Sequence, residues 1–259
     1  MPASMRIASL VIGLFGTAIG SGVVAQDTDD WDFLADPERK DLTVAGVQFD
    51  GGASISVQCQ AGMLSLIVGG MPTSAETFRA FYIVREDGLS RRSHFTRIEH
   101  TNLLHANDAR AVRFLRTHGK ITIASVAGEL QPVRMQLDLP PQSANLDRVL
   151  TDCAYPLVDP RDELADASDL IIAQPMIEMP TFSRRYTVVR VEVSCVVSNG
   201  RLTACQSDHE TPPAPEVGRA TARRANGTRV SLREPVAAEG RLLDIVVTGD
   251  RIYRYRIPR

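Results

Sequence analysis

Among residues whose types could do chemistry, His94, Glu99, His100 and His105 lie closest together and carry metal-ligand side chains. A zinc site needs ligands that converge on one point, as the two histidines of H-E-x-x-H do on one helical face. His100 and His105 stand five positions apart, which places them on opposite faces of a strand and out of line on a helix. They read as loop and surface histidines, so no metal ligand is assigned. No G-x-S-x-G elbow, G-x-x-x-x-G-K-[ST] loop or G-x-G-x-x-G turn occurs, and these are the local patterns that place a nucleophile or cradle a phosphate. Lys40 and Lys120 are the two lysines, and neither sits in an S-x-x-K pair. No catalytic residue and no cofactor site follow, and the chain reads as a non-enzyme.

Two charged groups invite ligand hypotheses. Asp159, Asp162, Glu163, Asp166 and Asp169 cluster in sequence. A calcium loop needs alternating oxygen ligands around a central glycine, which this run lacks, so it reads as solvated charge. Arg223, Arg224, Arg254 and Arg256 could meet phosphates or lipid head groups. No stacking aromatics interleave with them in a nucleic-acid module, and a nucleic-acid partner is not expected.

The four cysteines, Cys59, Cys153, Cys195 and Cys205, read as structural disulfides of an oxidising compartment. Three pairings are possible. Cys59–Cys153 and Cys195–Cys205 are expected, because each then closes within one proposed domain. The second pair carries a geometric condition. Across a two-residue turn at Asn199-Gly200, position 195 faces 204, and Cys205 points to the other face. A bridge there requires a bulge or an odd loop.

The elements that must hold these cysteines follow from composition and pattern. Only 5% of residues are aromatic against 44% hydrophobic, so the cores rest on Val, Ile, Leu and Ala. The net charge of −2 hides an asymmetry: residues 181–259 hold 14 Arg and 8 Asp/Glu, whereas the preceding chain is acidic. Residues 1–25 have the order of a secretory leader, with Arg6, an apolar run and small residues up to Ala25. Cleavage after Ala25 would leave no stable membrane span. Residues 26–41 read as an acidic arm. Residues 42–155 read as a β-rich, disulfide-containing domain, with strands at 42–49, 53–59, 64–68, 80–84, 93–98, 120–126 and 133–139. Helices are expected after an Asn107 cap and over 144–153. Residues 156–180, rich in Pro and Asp, read as a linker. Residues 181–259 carry a hairpin at 187–197 and 202–206, then a helix at 216–225 ended by Asn226-Gly227. A strand at 242–247 follows, then a turn at 248–250 and a last strand at 251–257. In that last strand Arg251, Tyr253, Tyr255 and Ile257 share one face. The expected fold class is α+β, a mostly antiparallel β-rich domain followed by a small sheet-plus-helix domain.

Val191-Glu192-Val193-Ser194-Cys195, Asn199-Gly200-Arg201-Leu202, Cys205, Glu210 with Pro212, and Gly218-Arg219-Ala220 follow one another in a familiar order. Together they resemble the C-terminal domain of TonB-type energy transducers, nearest to a two-cysteine variant from alphaproteobacterial relatives. The resemblance covers residues 181–259. It implies a small sheet packed on a helix, a periplasmic location, and binding to an envelope protein such as an outer-membrane transporter through a strand edge. By this likeness the helix maps to 217–225 and the partner-binding strand to 251–257. The departures are Tyr186-Thr187 where the family has Tyr-Pro, and the missing proline-rich spacer. A transducer keeping its N-terminal anchor, and an envelope enzyme assembled from scattered residues, are the alternative expectations.

Overall fold

A computed structural model describes residues 30–250 apart from 37, 40, 73, 127–130, 183–187 and 213. The leader expected at 1–25 and the strand expected at 251–257 lie outside the described residues. The chain divides into two compact units, Met1–Gly88 with Ser93–Leu157, and Leu89–Arg92 with Val158–Arg259. The fold is β-rich α+β, with antiparallel sheets and short helices.

The first unit is built on a nine-stranded sheet. Its strands are β1 (Asp32–Ala35), β2 (Leu42–Gln48), β3 (Ser54–Gln60), β4 (Met63–Gly69), β5 (Phe78–Arg85), β6 (Ser90–Arg97), β7 (Leu104–Ala106), β8 (Gly119–Ser125) and β9 (Arg134–Leu139). They lie in the order β1-β2-β3-β4-β7-β6-β5-β8-β9. Alternating or continuous aliphatic runs make these strands, and Ile55, Val57, Leu66, Phe81, Ile83, Ile121 and Ile123 bury in the core. Helix α1 (Ala109–Phe114) starts at Asp108, whose Oδ1 accepts from the Ala111 N–H at 2.8 Å, one residue later than the expected cap. Helix α2 (Ala144–Asp152) turns Leu146, Val149 and Leu150 inward against β2 and β3. Cys153 follows it and bonds Cys59 of β3.

Within the acidic arm, residues 32–35 form a strand. Trp31 is 1% exposed, its carbonyl accepts from Asn145 Nδ2 at 2.7 Å, and the Arg148 guanidinium lies 4.0 Å from the Phe33 ring centroid. One buried indole and its neighbours outweigh the acidic composition around them.

The second unit has a three-stranded sheet in the order β12-β11-β14, with β11 (Val188–Ser198), β12 (Arg201–Thr211) and β14 (Leu242–Asp250). Asn199 and Gly200 both have positive φ, 50° and 68°, as a two-residue hairpin turn requires. Val189, Val191, Val193, Cys195 and Val197 point into the core with Leu243, Ile245 and Val247. Helix α3 (Pro215–Ala225) covers that face with Val217, Ala222 and Ala225. Short helix α4 (Pro235–Ala238) leads into β14.

Two expectations are corrected in this unit. The linker reading of 156–180 misses that its aliphatic side chains are used. Ala167, Leu170, Ile171, Ile177 and Met179 join the core, and β10 (Ile171–Ala173) pairs with β13 (Ser231–Leu232). The turn expected at 248–250 is strand: Thr248, Gly249 and Asp250 pair with Arg190, Val189 and Val188. Ladder pairing with the long β11 overrides the turn propensity of Gly-Asp.

Candidate functional site

The most featured surface of the second unit lies along β12. Its ladder with β11 runs regularly from Ser198↔Arg201 to Val196↔Thr203, then shifts by one residue, so that Ser194 faces Gln206. Ala204, at φ 47°, is the extra residue. This bulge meets the condition set by the sequence: it returns Cys205 to the face of Cys195, and the two are bonded with Cα atoms 4.1 Å apart. A second shift falls between Glu192↔His209 and Val193↔Ser207, leaving Asp208 as the extra residue.

Each bulge re-aims side chains. Arg161, from the segment read as linker, reaches the sheet and gathers three groups. It donates to Asp159 from Nε at 3.2 Å and Nη2 at 2.8 Å, to the Ser194 hydroxyl at 2.7 Å, and to Asp208 at 3.5 Å. Asp159 and Asp208 are therefore paired charges rather than solvated ones. On the other side of Asp208, the Ser207 hydroxyl donates to Glu210 Oε1 at 2.5 Å. Glu210 then lies over the backbone of α3 at Gly218. An ideal Cβ on residue 218 would stand 1.7 Å from Glu210 Oε1 and 2.4 Å from Ser207 Oγ. A side chain at 218 would therefore have to push aside the ends of the Glu210 and Ser207 side chains.

Between β12 and α3 a groove of about 520 Å³ remains, lined by Cys205, Asp208, Glu210, Pro215, Arg219 and Arg223 among others. Arg219 and Arg223 are exposed on its helical wall. The groove combines an edge strand, a disulfide and two guanidinium groups, which suits it to hold a chain or an anion.

The remaining sequence candidates are dispersed. His105 Nε2 lies 2.9 Å from Asn107 Oδ1, and the Ser65 hydroxyl donates to that same oxygen at 3.1 Å. Ser65 thus points its proton at an amide oxygen, which cannot take it up as a general base does. Among the described residues no three His, Cys, Asp or Glu side chains gather as metal ligands do. Asp166 is half-buried, and its Oδ1 accepts from the Ser168 N–H at 2.5 Å. Burial, followed by the nearby Asp244 carboxylate, holds its pKa above the ordinary 3.8. This too departs from the solvated reading of the acidic run. Arg251, Tyr253, Tyr255 and Ile257, with Arg254 and Arg256, lie outside the described residues.

Sequence reasoning missed two contacts, Arg161 with Asp208 and Ser207 with Glu210. Their signal was weak: a Pro-rich stretch with one arginine, and a polar strand end without periodicity. No family model, no curated protein and no solved structure matches this chain. Its two disulfides place the folded chain in an oxidising compartment. Among the described residues no helix is long and apolar enough to cross a membrane.

Proposed function

We propose that the chain is a non-enzymatic periplasmic protein of the cell envelope. Its second unit is read as a TonB C-terminal-like interaction module that binds another envelope protein by strand-edge pairing. The observation that carries this reading is the position of β14. It forms one edge of the three-stranded sheet and leads directly into the alternating Arg251, Tyr253, Tyr255 and Ile257. An edge strand offers a row of backbone donors and acceptors to an incoming strand. The order hairpin, helix, strand found in the second unit agrees with the order that the likeness implies. The leader pattern and the disulfides support export.

The test is a photo-crosslinkable residue at position 248, on β14, in the native organism. An adduct with an envelope protein that disappears in Tyr255→Pro is the expected result, since proline removes a ladder donor. No adduct, or one unchanged by the substitution, overturns the reading.

A further inference from the structure

The second edge of the sheet, β12, is covered over its first part. The Gly227 N–H donates to Leu202 O at 2.7 Å, the Leu202 N–H to Thr228 O at 2.9 Å, and the Val230 N–H to Gly200 O at 2.9 Å. The Cys205 N–H donates to Asn226 Oδ1 at 3.2 Å. Beyond Cys205, no strand pairs with the outer edge of β12 among the described residues. There α3 runs beside it, and the groove opens between the two. A sheet edge flanked by a helix is the arrangement in which an extended peptide adds a strand by main-chain bonds while its side chains meet the helix.

The charges in the groove are unequally engaged. Asp208 is paired with Arg161, and the Glu210 carboxylate accepts from Ser207 where it lies on Gly218. Arg219 and Arg223 are exposed and make no ion pair or side-chain hydrogen bond among the described residues. Four helical residues rise about 6 Å, and two strand residues advance about 6.8 Å. Carboxylates at alternate positions of an extended chain therefore match the spacing of the two arginines.

We propose that this groove takes an acidic, extended segment of a partner protein, which pairs with the outer edge of β12 and sets carboxylates against Arg219 and Arg223. The inference rests on the interaction reading given above but uses the other edge of the sheet, so the two can fail separately.

The test uses the full chain, 15N-labelled with both disulfides closed. It is titrated with short synthetic peptides of alternating Val-Asp or alternating Val-Lys, each at low and high salt. The Val-Asp peptide should shift the backbone amides of 206–211 and weaken steeply with added salt. The R219Q/R223Q variant should bind it about tenfold more weakly, the scale of two surface charge contacts. Glutamine is a good helix former, so α3 is retained. An absent response, equal binding of the Val-Lys peptide, or an unchanged affinity in the variant overturns the proposal. Shifts confined to 242–250 overturn it too, while leaving the β14 reading intact. Binding to phosphatidylglycerol vesicles without binding to the Val-Asp peptide also overturns it, and assigns the arginines to a lipid surface.

Discussion

The Glu210 carboxylate occupies the space that a side chain at Gly218 would need, with Oε1 1.7 Å from an ideal Cβ on residue 218. Gly218 is the fourth residue of α3, where alanine would ordinarily favour the helix by about 1 kcal/mol. Gly218→Ala should push the Glu210 carboxylate aside and break its bond from Ser207, a loss of about 0.5–1.5 kcal/mol that offsets most of that helix gain. Denaturant unfolding measures it. In a Glu210→Ala background the same substitution should stabilise by about that helix gain, because the obstacle is then gone.

Asp166 carries a conditional cost. Its folded pKa is raised, so the folded chain holds that proton more tightly than the unfolded chain does. The contribution is present below the unfolded value near 3.8 and is lost as pH rises through the folded value. At neutral pH the side chain is half-buried and its charged carboxylate lies near that of Asp244. Asp166→Asn keeps an acceptor for the Ser168 N–H. It should stabilise the chain at pH 7, with the gain vanishing in acid. Thermal melts across pH read this out.

Glu239 behaves in the opposite sense. Its carboxylate accepts from the Ser198 hydroxyl at 2.7 Å and the Asn199 N–H at 2.8 Å, and these bonds hold its pKa below the ordinary 4.5. The tether to the hairpin turn is present above that value and lost as pH falls through the folded pKa. The Asn199 amide resonance should move with a midpoint below 4.5 in wild type, and Glu239→Gln should abolish that movement.

Much of this fold is legible along the chain, and what is not has physical reasons. The valines of β11 repeat with period two and flank Asn-Gly, so strand, face and turn are all fixed locally. Residues 206–211 lack such a period because bulges at Ala204 and Asp208 break the alternation. β7 is three residues long, too short for any pattern. Arg161 reads as a solvated linker residue until folding brings Ser194 and Asp208 to it. The groove itself was invisible, since Gly218 has meaning only through Glu210. The pairing of the cysteines was readable, and so was the need for either a bulge or an odd loop, though not which of the two or where.

The two disulfides should differ in strength through the loops they close. Sequence separations are 94 residues for Cys59–Cys153 and 10 for Cys195–Cys205. In the chain-entropy account, these correspond to about 4–5 and about 3 kcal/mol. Replacing each pair by serines should lower the unfolding free energy of its own unit in that order. Urea titrations of the two double variants measure the difference.

The bulge at Ala204 also bears on how the hairpin finds its alignment. Sliding β12 by a single residue would turn Leu202 out to water and Cys205 away from Cys195. With sulfur joined to sulfur across the kink, the bond fits the bulged alignment and excludes that neighbouring one.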